Sequence, residues 1–185
     1  LANPQTSEQH SSREEVASYT AAHLLDVVGE EEEVMNIASE PEYMDFEVAL
    51  DSGCAAHVCD QVDVPGYEVR ESEGSRRKAS FVAAGGKTIP NEGESTLCLL
   101  TNVNDQSTTE ISSTFQIAAV TRPLWSVSQI LDNLPDNHDV RFTKREAQVR
   151  DSHGQPIALF DRKGGLYVKS MKLKNPKHKG FARQA

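Results

Sequence analysis

A polar segment directly after an apolar run is the strongest chemical signal in this sequence. In "FEVALDSGCAAHV" (residues 46–58) an aliphatic stretch ends at Leu50, and Asp51, Ser52 and Gly53 follow at once. A carboxylate at the end of a buried strand is costly unless it is hydrogen-bonded, paired or used in chemistry. The hydroxyl and the glycine that follow favour a sharp turn of the backbone. These residue types predict a functional carboxylate on a tight loop, with a capping or turn aspartate as the structural alternative.

Three residues just after this tripeptide raise the question of a metal site: Cys54, His57 and Cys59. Their spacing is too cramped for three ligands in ordinary zinc geometry, and Cys98 is the only other thiol. We therefore predict no metal and no cofactor, and we interpret His57 as a hydrogen-bonded, partly buried histidine. The segment "AAGGK" (83–87) lacks the spacing of a phosphate-binding loop and is predicted to be a turn.

The elements that must position Asp51 are mostly predicted strands, with one short helix late in the chain. Alternating apolar and polar residues between glycine- and proline-containing turns predict the strands. They cover 43–51, 66–72, two strands around a glycine-rich turn in 80–100, then 109–120, 139–151, 156–164 and 165–174. Pro123 is predicted to begin a short helix in "PLWSVSQILDNL" (123–134). Long βαβ alternation is missing from the sequence, so we expect a mainly β domain.

Charge divides the chain into parts. Residues 1–45 contain eleven acidic residues and one arginine, a net charge of −10, whereas residues 46–185 hold 17 acidic and 18 basic residues, a net charge of +1. Within the acidic part, "SREE" fits a capping box for a helix over about 12–28. The expected organisation is an acidic, partly helical extension (1–42), a β domain (43–174) and a basic tail (175–185).

Composition narrows the class of protein further. With 185 residues, 37% hydrophobic residues and a mean hydropathy of −0.52, the chain suits one domain with polar extensions. Its apolar runs are all shorter than the roughly 18 residues that a membrane span needs. An odd count of three cysteines and no secretory signal favour an intracellular, reducing compartment. Because the sequence begins at Leu1 and not at Met, we expect a fragment of a longer precursor.

The order of these features resembles the single-lobe aspartic proteases of retroviruses and retrotransposons, above all the copia-type protease and the segment that follows it. Asp51-Ser52-Gly53 matches the catalytic Asp-Ser/Thr-Gly of that family, and His57 matches a histidine that copia-type sequences often carry. The stretch "PGYEVRESEGSRR" (65–77) is similar to polyproteins of dinoflagellate retroelements. The likeness covers most of the predicted β domain.

The resemblance implies a fold and further site residues. The fold would be a single-lobe, retropepsin-like β-barrel with a short helix, preceded by the acidic helical extension. The segment 81–94 would be the flap, whose substrate-binding residues would be Ala83, Ala84, Gly85, Gly86 and Lys87. Leu124, Trp125 and Ser126, together with His57, would support the active site. The family usually has glycine where Ser126 stands, so the loop beside Asp51 must accommodate a Cβ atom.

The implied function is that of an aspartic endopeptidase that processes a retroelement polyprotein. Two carboxylates that share one proton can activate water and protonate the leaving amine, because they cannot both ionise at close range. This chain has one Asp-Ser-Gly, since "DSHG" (151–154) interposes His153 and is predicted to be a hairpin turn. The second carboxylate must therefore come from an identical chain, which predicts a C2 homodimer with both Asp51 residues on the axis.

A second hypothesis is a retropepsin-like domain that has been reused as a non-catalytic subunit of a larger assembly. The acidic extension and the basic end favour it, because such polar segments are seldom ordered alone. Residues 169–185 hold six basic residues and no acidic one, so contact with nucleic acid is an alternative to a solvated end. We expect the solvated end, and a polyprotein or peptide substrate as the main partner.

Overall fold

The computed structural model describes residues 40–104 and 107–181, and the predicted helix over 12–28 lies outside these ranges. The described part is mainly β, as predicted. The strands are Tyr43–Asp51 (β1), Val58–Cys59 (β2), Ser80–Val82 (β3), Thr88–Pro90 (β4), Gly93–Asn104 (β5), Ser107–Ile117 (β6), Leu124–Ser126 (β7), Asp139–Phe142 (β8), Glu146–Arg150 (β9), Pro156–Lys163 (β10) and Leu166–Lys174 (β11). The helices are Glu73–Arg76 (α1) and Val127–Asp132 (α2), and within these ranges neither could cross a membrane.

Strand β1 carries Asp51 at its end and pairs with two other strands. Phe46 and Val48 are buried while Glu47 between them is exposed, as the two-residue period of a strand requires. β1 pairs antiparallel with β11 over Tyr43–Ala49 and parallel with β7 over Ala49–Asp51. The parallel pairing therefore lies directly beside the candidate carboxylate.

Nine strands form one sheet in the order β1-β7-β2-β6-β5-β11-β10-β9-β8, and β3 and β4 form a separate two-stranded sheet. β11 pairs with β5 and β10, and it also pairs with β1. Because of this additional pairing, the strands β1-β7-β2-β6-β5-β11 form a closed cycle of paired neighbours. The first and the last strand of the described sequence are consequently neighbours.

The strands enclose one apolar core. Phe115, Phe160, Leu97 and Leu99 are completely buried in it, and Trp125 of β7 joins the same cluster. Complete burial of such a side chain contributes about 2–3 kcal/mol. Because Phe160 belongs to β10, the C-terminal strands share their core with the strand that carries Asp51.

Two predictions before residue 100 were wrong in detail. Residues 66–72 form no strand, because only Arg70 bridges to Glu94 and Ser72 begins α1 instead. The Ser72 hydroxyl accepts the N–H of Ser75 at 3.0 Å, which satisfies the first turn of that helix. In the predicted hairpin over 80–100, only β3 and β4 pair with each other, and Gly93 begins a new strand that pairs with β6.

Two later predictions were also wrong in detail. The short helix begins at Val127 and not at Pro123, because Leu124–Ser126 pairs with β1 as a strand. Residues 139–151 form two strands, β8 and β9, with a turn at Thr143. The Thr143 hydroxyl accepts the N–H groups of Arg145 and Glu146, which fixes that turn.

The described part of the predicted basic tail packs on the β domain. Asn175 is buried, where its N–H donates to the carbonyl of Glu42 and its side-chain amide donates to the carbonyl of Pro41, both at 2.8 Å. The ring of Phe181 packs edge-on against Tyr67, with 6.1 Å between ring centroids. Residues 175–181 are thus attached to the folded domain.

Candidate active site

The Asp51 carboxylate lies in a tight turn at the end of β1. Its Oδ1 atom accepts the backbone N–H of Gly53 at 2.7 Å, which turns the carboxylate back over its own loop. Asp51 is half-buried, whereas Ser52 and Gly53 are exposed. The Asp51 carboxylate thus lies on a tight loop, and Ser52 and Gly53 present the outer face of this loop to solvent.

Strand β7 supports this turn from the side. Ser126 is the register partner of Asp51 in the parallel pairing, and the N–H of Ala49 donates to the carbonyl of Pro123 at 2.9 Å. Ser126 is fully buried, and its hydroxyl donates to the carbonyl of Cys54 at 2.6 Å. The same residue therefore contacts the Asp51 loop at its beginning through the strand pairing and at its end through a side chain.

His57 lies beneath this loop and is hydrogen-bonded at two atoms. The N–H of Ser126 donates to its Nδ1 atom at 3.0 Å, and its own backbone N–H donates to Oε1 of Gln129 at 2.6 Å. The imidazole is 5% exposed and packs against Phe115 and Trp125, with centroid distances of 5.3 and 5.8 Å. Burial lowers the pKa of His57 from 6.5 to about 4, because the charged ring loses its hydration.

The two apolar residues before Ser126 anchor β7 in the fold. Trp125 is 8% exposed and contacts Phe160, so it belongs to the core. Leu124 is half-buried and pairs with Val58 of β2. Of the residues expected to support the site, the structure brings Leu124, Trp125, Ser126 and His57 together around the loop that carries Asp51.

The predicted flap is a hairpin of its own. Its tip is closed by the N–H of Ala83 donating to the carbonyl of Lys87 at 2.9 Å and the N–H of Gly86 donating to the carbonyl of Ala83 at 2.8 Å. Gly86 has a φ of +79°, a conformation that favours glycine, and the tip residues from Ala84 to Lys87 are exposed. Among the described residues, no hydrogen bond joins this hairpin to the Asp51 loop.

The neighbouring cysteines do not form a metal site with His57. The Cys54 thiol donates to the carbonyl of Ala56 at 2.9 Å, and Cys59 is buried in the core. Burial raises the pKa of the Cys54 thiol and raises that of Cys59 to about 12, so both stay protonated. In residues 40–104 and 107–181, no group of three or more metal-binding side chains is present.

A surface groove with a volume of about 510 Å³ lies beside β1. It is lined by Met44, Asp45, Phe46, Glu47 and Ala49 of β1, by Val62, Asp63 and Pro65, and by Thr121, Arg122 and Pro123. Asp51 is not among its lining residues. Within one chain, the candidate site lies on a loop in which Asp51 is half-buried and Ser52 and Gly53 are exposed.

Sequence reasoning missed two members of the site. Gln129 holds the backbone of His57, and the Ser128 hydroxyl lies 2.9 Å from that of Ser126. One signal was available, because Ser126 and Gln129 have the S-x-x-Q spacing of a helix N-terminus, and Ser126 does cap α2. The side chain of Gln129 bonds to His57 instead of the capping residue, and the spacing alone does not predict that contact.

The arrangement provides one carboxylate on an exposed, rigidly supported loop. Comparisons of the chain with protein-family models, with curated proteins and with solved structures gave no match. The interpretation of the site therefore depends on its geometry and chemistry. A lone carboxylate can accept one proton, but acid–base catalysis of peptide hydrolysis needs a proton donor as well.

Proposed function

We propose that this chain is a retropepsin-like aspartic endopeptidase that acts as a homodimer on a polyprotein substrate. The observation that carries the proposal is the Asp51 loop: a carboxylate at the end of β1, bonded to the N–H of Gly53 and paired in parallel with Ser126. A turn aspartate needs only local hydrogen bonds. The additional support from β7 and from buried polar groups is expected where a carboxylate must be held in one position for chemistry.

The strand pairings support the fold that this function needs. Each strand pairs with the next in the spatial order β1-β7-β2-β6-β5-β11, and β11 also pairs with β1. Such a cycle is what a small β-barrel of the single-lobe type would have. The hairpin of β3 and β4 stands apart from this cycle, as a flap must if it is to close over a substrate.

A second copy of the chain would supply the missing acid. In the dimer, the Asp51 carboxylate of one copy would take a proton from water while the water oxygen attacks the scissile carbonyl carbon. The protonated Asp51 of the other copy would give its proton to the carbonyl oxygen. Collapse of the tetrahedral diol would then break the C–N bond: the leaving nitrogen would take the proton from the first Asp51, and a diol hydroxyl would return a proton to the second Asp51, which restores the shared proton.

Substrate would bind as an extended strand between the Asp51 loops and the flaps. Backbone hydrogen bonds along a strand give affinity that is largely independent of sequence, as expected for a protease with several cleavage sites. Val82 on β3 is 70% exposed. Closure of the flap over a bound peptide would cover it.

The experiment that tests the proposal compares two aspartates that precede serine. The unaltered chain should cleave a denatured protein at acidic pH, be inhibited by a transition-state mimic such as pepstatin, and have the mass of a dimer in solution. Asp51→Asn should abolish cleavage. Asp151→Asn is the matched control, because Asp151 only closes the turn between β9 and β10 by accepting the N–H groups of His153 and Gln155.

Two outcomes would contradict the proposal. Cleavage that persists in purified Asp51→Asn would exclude Asp51 as the acid–base group. A chain that stays monomeric at every concentration and cleaves nothing would leave the non-catalytic subunit as the better function, because one carboxylate cannot perform both proton transfers.

A further inference from the structure

We propose that His57 is a positioning residue that fixes the Asp51 loop only while its imidazole is neutral. Protonation of His57 would release Ser126 and, through it, the loop. The catalytic consequence rests on the proposed function, but the structural consequence does not, since it concerns only hydrogen bonds within one chain.

The first step is the role of the Nδ1 atom. It lies 3.0 Å from the backbone nitrogen of Ser126, and a backbone N–H can only donate. Nδ1 must therefore be an unprotonated acceptor, and the ring must carry its hydrogen on Nε2. A protonated histidine has hydrogens on both nitrogens and cannot accept this bond.

The second step is the path from Ser126 to the loop. The Ser126 hydroxyl donates to the carbonyl of Cys54 at 2.6 Å, and its backbone is paired beside Asp51. Both contacts depend on where the Ser126 backbone lies. If Nδ1 gained a proton, two N–H groups would face each other in a buried space, and the Ser126 backbone would have to move away.

The third step concerns the surroundings of the ring. Within the described part of the chain, they contain no negatively charged group that would stabilise a positive charge on the imidazole. Phe115 of β6 and Trp125 of β7 face the ring, and Gln129 of α2 contacts its backbone. All three are uncharged, and burial is the only cause of the lowered pKa of His57. A positive charge on this ring would have no ion-pair partner among these residues. The hydrogen bond from the Ser126 N–H would therefore break as the ring becomes protonated.

The consequence for catalysis is an acid limit that the Asp51 pair itself does not set. An aspartic protease works best at acidic pH, where one of its two carboxylates is protonated. In this chain, activity should fall as pH decreases through about 4, because protonated His57 releases the loop. This fall in activity would be caused by protonation of His57 and not by the titration of the Asp51 pair.

The test compares His57→Asn with His153→Asn, since His153 is exposed in the turn between β9 and β10. The Oδ1 atom of asparagine is as far from the Cβ atom as the Nδ1 atom of histidine, so it can accept the Ser126 N–H at every pH. Hydrogen exchange of the Ser126 amide is followed by NMR between pH 6.5 and below 4, with correction for intrinsic exchange. Protection should fall about tenfold in the unaltered chain and in His153→Asn, the effect of losing one hydrogen bond, and should stay constant in His57→Asn.

Three results would overturn the proposal. One is Ser126 protection that does not change while the His57 ring signals titrate. Another is titration of His57 near 6.5, and the third is an acid limb of cleavage that persists unchanged in His57→Asn. If His57→Asn does not fold, the unaltered chain still tests the proposal. Ser126 protection should then be lost at the same pH at which the His57 ring signals titrate, and a loss at a different pH would contradict the proposal. Absence of any cleavage would refute the proposed function alone, because the exchange measurement needs no substrate.

Discussion

Gly53 has almost no neighbours within its own chain. A Cβ atom at this position would meet only Oδ1 of Asp51, at 3.4 Å, which is an ordinary contact, and its backbone is not in the left-handed region. The fold of one chain therefore does not require glycine here. Close approach of a second backbone would require it, and this is what the proposed dimer provides.

Gly53→Ala should consequently separate dimerisation from folding. We expect the free energy of unfolding of the monomer to change by less than about 0.5 kcal/mol, while dimer affinity and cleavage fall by at least about tenfold. Denaturant unfolding and sedimentation measure the two effects. Gly93→Ala is the contrasting variant, because its Cβ atom would clash with the backbone carbonyl oxygen of Arg70 and should destabilise the fold itself.

His57 also makes stability depend on pH. Its pKa is about 4 in the folded chain, below 6.5, so the folded state binds the proton less readily than the unfolded state. This contribution is fully present above pH 6.5 and decreases as pH falls towards 4, by about 3 kcal/mol in total. Urea unfolding across this range should give a steeper loss for the unaltered chain than for His57→Asn. Equal slopes would mean that the ring is not buried as described.

At the scale of elements, the strands with a buried and an exposed face could be predicted from the sequence. β1 alternates Phe46, Glu47 and Val48, and its apolar run stops at Asp51, which marks both the strand and the site. Short elements could not be predicted in the same way. Leu124–Ser126 is three residues long, and only its pairing with β1, 75 positions away in register, and with β2 makes it a strand.

The contacts of the site were beyond sequence reasoning for the same reason. His57 and Ser126 are 69 positions apart, and Cys54 and Ser126 are 72 apart. Composition and spacing report on neighbours along the chain, whereas these bonds follow from the order of the strands in the sheet. The position of Asp51 at the end of a strand could be predicted from the residues, whereas the hydrogen bonds that join Cys54, His57 and Ser126 could not.

The C-terminal hairpins should be essential to the domain that carries Asp51. Phe160→Ala removes a completely buried ring that contacts Trp125, and we expect a loss of about 3–5 kcal/mol in the free energy of unfolding. Phe142→Ala is the matched control, because Phe142 is 43% exposed, and it should lose far less. Denaturant unfolding followed by Trp125 fluorescence measures both. Equal losses would mean that Phe160 does not pack in the shared core as described.

At the scale of the whole molecule, the proposed mechanism makes activity a property of two chains, because each chain would supply one Asp51 carboxylate. Specific activity should therefore rise with chain concentration and level off once dimers predominate. Addition of Asp51→Asn chains to the unaltered protein should inhibit cleavage, because mixed dimers would contain one carboxylate. Addition of Gly53→Ala chains should inhibit much less, since they would pair poorly. Activity that is independent of concentration down to the monomeric range would contradict the proposed mechanism.

The pairing of β1 with β11 has a consequence for biosynthesis. Residue 51 leaves the ribosome long before residue 166, and the roughly 120 residues from the end of β1 to the end of β11 take about 6–25 s to synthesise. Until then, the edge of β1 that pairs with β11 has no partner strand, although β7, which pairs beside Asp51, has already emerged. For the proposed protease, this order of synthesis would delay cleavage until β11 has emerged and completed the pairing of the strand that carries Asp51.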